Sequence, residues 1–347
     1  MTKQVDYIIV GLGLAGLAFA EQLFKNNKTF VVFEDNSQTS SLVAGGVYNP
    51  VILKRFTPVW NGHQQIEKAI PFYQQLEDKL RQKFDYKFTT RKVFNSIEDE
   101  NNWFVASDKP MLNEYMNPKI IREKINGVYA DFGFGELYKT GRIDTKNLIE
   151  TYREYLEKSD NIKNQKFDYA DVQFKEDSVL YQNISAKKIV FCEGFGIVEN
   201  SFFNNLPLKE AKGELLTIHA AELNIDFLLK SALFVLPLGD NYYKVGATFN
   251  WKDKTTLPTS EGKNELVDKL KKVISVPYTI VSQSAGIRPT VKDRRPLVGV
   301  HSEYKQLVVL NGLGTRGVMI APTVAESLYN HLENNTVLDK EIDIKRF

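Results

Sequence analysis

Three glycines near the start of the chain have the spacing of a turn that binds the phosphates of a dinucleotide. The run from Gly11 to Gly16 reads G-L-G-L-A-G. Gly11 permits the tight turn, Gly13 lets a pyrophosphate approach the backbone, and Gly16 lets a helix pack closely against a strand. Backbone amides at the start of that helix, including that of Ala15, would then face the phosphates.

The elements around this turn complete the pattern. Residues 7–10 are apolar and predict a buried strand, residues 14–26 predict a helix, and residues 29–34 predict a second strand. A right-handed crossover makes the two strands parallel neighbours. Glu34 ends the second strand, where its carboxylate can accept hydrogen bonds from ribose hydroxyls. The combination predicts a dinucleotide site, although it does not distinguish FAD from NAD.

A second glycine turn lies near the other end of the chain. Residues 307–310 predict a buried strand, and a helix is predicted from about Gly317 to Leu332. Between them stand Gly312, Gly314, Thr315 and Arg316. The local pattern fits equally well a helix that only packs and a helix whose first amides face a ligand.

The order of motifs along the chain resembles the D-amino-acid oxidase superfamily, which includes glycine and sarcosine oxidases. The resemblance rests on segments spread over most of the sequence, namely 141–144, 189–194, 212–215, 237–239, 245–248, 285–299, 308–317 and 321–323. Residues 61–140 match poorly. The resemblance implies an FAD cofactor, oxidation of an amine by hydride transfer to flavin N5, hydrolysis of the resulting imine, and reoxidation by oxygen or another acceptor.

The resemblance also assigns roles to particular residues. Ala44, Gly45 and Gly46 would pass along the isoalloxazine ring, and Gly194 would lie near the adenosine half. The amides of residues 312–317, those of Gly312, Gly314, Thr315 and Gly317 among them, would stabilise negative charge on the reduced flavin.

Two arginines and a tyrosine are the candidate catalytic residues. Arg288 and Arg316 match positions where glycine-oxidase-like proteins place active-site arginines, and the former would hold a substrate carboxylate through a bidentate fork. Tyr48 is a candidate for the wall of the pocket. Cys192 is the only cysteine and is predicted to be a small buried hydrophobe, so we expect the FAD to be bound non-covalently.

The predicted fold class is α/β, with a Rossmann-like FAD-binding domain and an interleaved antiparallel-sheet substrate domain. Residues 1–60, 141–206 and 286–347 are assigned to the FAD-binding domain, and residues 61–140 and 207–285 to the substrate domain. Helices are predicted over 61–84, with Pro71 inside, and over 144–156; strands are predicted over 84–104, 188–192, 215–218, 232–236 and 242–249.

Composition limits the classes of partner and cofactor that are expected. The net charge is +2, from 45 basic and 43 acidic residues, which gives no general attraction to nucleic acid or to anionic membrane. A single cysteine forms no intramolecular disulfide, which favours a reducing cytoplasm. The four histidines lack metal-ligand spacing, so no metal is expected. The apolar stretch at 8–20 is too short to span a bilayer.

Three functions follow. The first is oxidation of a small, carboxylated amine. The second comes from residues 46–50 with 54–55 and 312–317, which resemble the oxidoreductase half of the bifunctional tRNA wobble-uridine modification enzyme; this would imply removal of a carboxymethyl group from tRNA. The near-neutral charge ranks tRNA second. The third is a flavin-binding protein without turnover.

Overall fold

A computed structural model describes residues 2–347 and contains two large sheets. The first sheet has a parallel core, and the glycine turn lies at the carboxyl end of one of its central strands. Its strands are Lys3–Val10, Phe30–Phe33, Ile162–Lys163, Val172–Phe174, Val179–Tyr181, Ile184–Phe191, Leu297–Val300 and Leu307–Asn311.

Four parallel strands form the centre of the first sheet. Strand 3–10 lies between strands 30–33 and 184–191, and the latter pairs with strand 307–311. Val10 is in register with both Phe33 and Phe191. The carboxyl ends of these strands therefore meet at one edge, which is where ligands bind in open α/β sheets.

Two helices, Leu14–Lys25 and Gly317–Asn334, cover one face of the first sheet with their apolar sides. Helix Leu14–Lys25 packs against helix Gly317–Asn334, and helix Gly62–Leu80 packs against the latter. The other helices are Ser40–Val43, Ile97–Ser107, Thr145–Lys158 and Ser260–Leu270, with 3-10 turns at Tyr169–Asp171, Gly194–Glu199 and Ile344–Arg346.

The second sheet is mostly antiparallel, as predicted for the substrate domain. Its strands, in spatial order, are Thr279–Val291, Leu208–His219, Tyr242–Gly246, Phe234–Gly239, Leu228–Lys230, Thr90–Val93 and Phe134–Leu137. Strand 208–219 pairs with strand 279–291 from end to end. Two small sheets join Val47–Tyr48, Gly141–Ile143 and Asp85–Lys87, and Val51–Ile52 with Thr57–Pro58.

The prediction of strands over 84–104 is wrong in its second half. Strands Asp85–Lys87 and Thr90–Val93 are followed by helix Ile97–Ser107. Ser96 caps this helix by accepting a hydrogen bond from the Asp99 amide at 3.2 Å. Three acidic residues in the first turn add favourable interactions with the helix dipole.

Two elements do not follow the predicted domain division. Ile66 and Tyr73 of helix 62–80 belong to the apolar core of the first sheet, although the sequence pattern grouped residues 61–140 with the second. Strand 279–291 also continues through the proposed boundary at residue 286.

Residues 2–347 contain neither a membrane-spanning helix nor a cluster of metal ligands. None of the helices in this range combines the length and the apolar character needed to cross a bilayer. The same residues contain no group of three His, Cys, Asp or Glu side chains arranged to hold a metal ion.

Candidate active site

A cavity of about 810 Å³ lies between the carboxyl edge of the first sheet and one face of the second. Its size falls in the range typical of cofactor and ligand sites. Residues from both glycine turns, from the loop at 44–46 and from six strands of the second sheet line it. We call the part of the cavity next to the first sheet the first-sheet end, and the part formed by the second sheet the second-sheet wall.

The glycine turn at residues 11–13 forms the first-sheet end. Gly11 has a φ of +96°, and a Cβ there would come within 2.7 Å of the Cys192 carbonyl oxygen. No side chain caps helix 14–25 at Gly13, and no acidic residue lies in its first turn. The Leu14 amide donates to the Ser41 hydroxyl at 3.3 Å, whereas the amides of Ala15 and Gly16 and the helix dipole are available to an anion, as a pyrophosphate requires.

Glu34 stands beside this turn at the end of its strand. Its buried carboxylate accepts hydrogen bonds from the amides of Leu12 at 2.5 Å and Asn36 at 2.6 Å. These bonds fix the carboxylate on the cavity wall. The contact between Glu34 and a ribose stays a prediction.

A second buried acid, Glu193, was not predicted. It follows strand 184–191, lines the cavity, and accepts hydrogen bonds from the Tyr169 hydroxyl at 2.5 Å and the Asn200 amide at 2.7 Å. Burial raises the pKa of Glu193 to about 7, against the lowering effect of those two bonds. A lone Glu two residues after an apolar strand was the only sequence signal.

Two backbone segments line the middle of the cavity. Ala44, Gly45 and Gly46 form one wall. Gly46 has a φ of +66°, and a Cβ there would overlap the carbonyl oxygen of Ile143. The other segment, residues 313–316, leads into helix 317–334, whose first residues also line the cavity. This helix has no side-chain cap and no acidic residue in its first turn.

Arg288 projects from the second sheet into the cavity. Its guanidinium lies over the ring of Phe249 at 4.2 Å, and two of its nitrogens donate long, 3.4 Å hydrogen bonds to the Thr248 carbonyl. A Cβ at Gly213 would overlap this guanidinium, so glycine makes its position possible. Burial lowers the pKa of Arg288 to about 10.

Arg316 lies on the cavity wall at the start of helix 317–334. Burial, together with the nearby charge of Arg294, lowers its pKa. Across residues 2–347, the side chains of Arg316 and Arg288 each lack a carboxylate within 4 Å. The two predicted arginines are therefore brought to one cavity as unpaired cations.

The structure does not place Tyr48 in this cavity. Successive residues of a strand point to opposite sides, so Val47 and Asn49 line the cavity while Tyr48 faces away. Its buried hydroxyl donates to Asp85 at 2.8 Å. The prediction that Tyr48 belongs to the active site is therefore corrected to a packing role.

Two predicted cofactor glycines lie behind the lining. A Cβ at Gly16 would overlap the Gly11 carbonyl, which agrees with the close packing expected there. Gly312, with a φ of +72°, donates its amide to the Asn311 side chain at 2.7 Å. The cofactor positions that do line the cavity are Gly11, Gly13, Ala15, Glu34, Ala44, Gly45, Gly46, Gly194, Gly314, Thr315 and Gly317.

The cavity fits FAD by the chemistry of its two halves. The first-sheet end offers a helix N-terminus and a fixed carboxylate to a pyrophosphate and a ribose, and the middle offers exposed backbone to a flat ring. The cysteine in the lining, Cys192, is buried, and burial raises the pKa of its thiol.

Comparisons with known proteins agree with this description. The model of the DAO family, described as FAD-dependent oxidoreductase, matches residues 6–330. The chain is 21 % identical to glycine oxidase from Bacillus subtilis, over 99 % of this chain and 95 % of that protein. A solved glycine oxidase from Geobacillus kaustophilus has the same fold, with a TM-score of 0.83, 18 % identity and full coverage of both chains.

A second kind of relative is longer than this chain. The tRNA 5-methylaminomethyl-2-thiouridine biosynthesis bifunctional protein MnmC of Idiomarina loihiensis is 27 % identical over 199 residues. The match covers 55 % of this chain and 30 % of that protein. The family model spans nearly the whole chain, and the chain belongs to the DAO family of FAD-dependent oxidoreductases.

Proposed function

We propose that this protein oxidises a C–N bond of a small amine that carries a carboxylate. The observation that carries the proposal is Arg288, a partly buried guanidinium that projects into the cavity without a carboxylate partner among residues 2–347. Keeping such a charge out of water costs free energy unless an anion pairs with it. A substrate carboxylate supplies that anion.

The chain's own residues would bind and orient the substrate. Phe249 and Thr248 hold the guanidinium of Arg288 from one side, which leaves its remaining N–H groups for a bidentate carboxylate contact. When bound, FAD supplies a two-electron acceptor for the hydrogen on the carbon next to the amine nitrogen. Water would then hydrolyse the imine product.

Arg316 and the uncapped start of helix 317–334 supply positive potential to the middle of the cavity. Negative charge that develops there during the reaction would be stabilised by these groups. Apolar walls from Leu215, Phe234 and Leu228 limit the access of water. The electron acceptor after the amine has been oxidised would be oxygen or another oxidant.

A screen of amines under anaerobic conditions tests the proposal. The holoenzyme is mixed with carboxylated amines, and loss of flavin absorbance reports oxidation. The proposal expects bleaching by one or more of them. A holoenzyme that stays oxidised with every amine and amino acid would support a flavin-binding protein without turnover.

A specific observation favours a second candidate, oxidation of a modified nucleoside in tRNA. Phe249 and Trp251 are more than half exposed, and their rings lie 6.2 Å apart beside Arg288. Exposed aromatic rings next to a cation suit stacking on an unpaired base. Salt-sensitive binding of tRNA, with loss of affinity in Trp251→Ala, would favour this candidate over a free amine.

A further inference from the structure

The second-sheet wall of the cavity carries another cation that the proposed chemistry does not use. Lys230 lines the cavity at the end of strand 228–230, and its Nζ donates a single hydrogen bond of 3.0 Å to the Ser231 carbonyl. Lysine has three donors, so two remain. Within residues 2–347, no carboxylate lies within 4 Å of Lys230.

The charges around Lys230 are also positive. Lys92 and Lys269 lie close enough to lower its pKa further, and burial, which is the largest cause, brings that pKa to about 8. Glu265, the one carboxylate of this wall, is held by Lys269 at 2.6 Å. An anion beside Lys230 would therefore relieve both the loss of hydration and the repulsion between cations.

The register of the second sheet shows how far Lys230 lies from Arg288. Lys230 pairs with Phe234, Phe234 with Gly246, and Gly246 with Leu215, so these residues form one row across four strands. The guanidinium of Arg288 lies against Gly213, which is on the strand and face of Leu215. Three strand spacings, roughly 14 Å, thus separate the backbone of Lys230 from the strand that lies under the Arg288 guanidinium, and the long lysine side chain closes part of that gap.

This arrangement leads to an inference that rests on the proposed function. We infer that the substrate is an amine with two acidic groups: a carboxylate near the amine, held by Arg288, and a second anionic group several atoms away, held by Lys230. The second group is a carboxylate or a phosphate, since an ammonium binds either as a point charge.

Binding to the oxidised holoenzyme, measured before any reduction of the flavin, tests the inference separately from turnover. Dissociation constants are measured from the change in flavin absorbance for aspartate, glutamate, α-aminoadipate and α-aminopimelate. The uncharged counterparts are amino acids of the same chain lengths whose side chains carry no charge. O-phosphoserine is the phosphate probe. We expect at least one doubly acidic probe to bind about tenfold more tightly than its uncharged counterpart, which is the effect of one charge-assisted hydrogen bond.

Variants connect this preference to Lys230. Lys230→Met should abolish the preference, while the affinity for the uncharged counterpart and for FAD stays as in the wild type. Lys230→Arg should keep the preference. Lys188→Met is the matched control, because Lys188 is also partly buried and bonds to the backbone but lies outside the cavity lining.

The outcomes separate this inference from the proposed function. Equal affinities for every pair in the wild type, or a preference that survives Lys230→Met, would overturn the second anionic site alone, provided that uncharged amino acids still perturb or reduce the flavin. If no amino acid perturbs the flavin at all, the proposed function fails and the second site fails with it.

Discussion

Gly213→Ala offers a way to move Arg288 without removing it. A Cβ at position 213 would overlap the guanidinium, whereas atoms in van der Waals contact need about 3.5 Å. The atoms in the way are the far end of a flexible side chain, so the fold should be retained and the guanidinium displaced by more than about 1 Å. A misplacement of that size in a substrate-positioning group costs up to roughly 100-fold in rate.

We therefore expect Gly213→Ala to lower kcat/KM for the carboxylated substrate by about ten- to 100-fold. FAD content and melting temperature should stay close to those of the wild type. Gly286→Ala is the comparison, because Gly286 pairs directly with Gly213 and a Cβ there meets its nearest neighbour at an ordinary 3.4 Å. A Gly213→Ala enzyme with unchanged kcat/KM would refute the role of the guanidinium's position.

Changes at Arg288, at the cofactor site and at Glu193 have further expected outcomes. Arg288→Ala should lose about 2 to 5 kcal/mol in kcat/KM at constant FAD content, and Arg288→Lys should also be impaired; normal kcat/KM in Arg288→Ala would rule out the anchor. Glu34→Ala should raise the FAD dissociation constant, measured by fluorescence titration of apoprotein, and an unchanged constant would remove Glu34 from the ribose site. Acid precipitation should release the flavin into the supernatant, because the buried Cys192 is the only cysteine; yellow pellets would show a covalent link. Because burial raises the pKa of Glu193 to about 7, its neutral form stabilises the fold fully below pH 4.5, and that stability is lost as the pH rises through 7. Glu193→Gln should remove this pH dependence of the free energy of unfolding, which amounts to about 3 kcal/mol at most. Thermal melts at pH 5 and pH 8 measure it, and an equal loss of stability in both proteins would disprove the role of Glu193.

Local pattern was sufficient to predict the elements nearest the cofactor. The turn from Gly11 to Gly16, its flanking strands and Glu34 all lie within one short stretch of chain, so spacing alone predicts them. The helix predicted over 144–156 is found at Thr145–Lys158, where Asp144 caps it by accepting from the Asn147 amide. Turn and cap chemistry act locally, and sequence shows them directly.

Features that depend on long-range packing were missed. Tyr48 looked like a pocket residue, but the side to which it points is set by pairing of its strand with Gly141–Ile143, nearly a hundred residues away. Lys230 stands in an apolar run, and only the sheet register shows that it faces the same cavity as Arg288. Helix 97–107, by contrast, had a local signal, because Ser96 caps it by accepting a hydrogen bond from the Asp99 amide. The alternation of apolar and polar residues before Ser96 favoured strands and hid this signal.

The most direct test of amine oxidation anchored by Arg288 compares two ligands that differ in the carboxylate. The anaerobic rate of flavin bleaching in wild-type holoenzyme is measured with N-methylglycine and dimethylamine, and with alanine and ethylamine, and then repeated in Arg288→Ala. The proposal predicts that a carboxylated amine bleaches the flavin faster than its counterpart in the wild type, and that Arg288→Ala removes the difference. Equal rates for each pair in the wild type, or a difference that persists in Arg288→Ala, would contradict it.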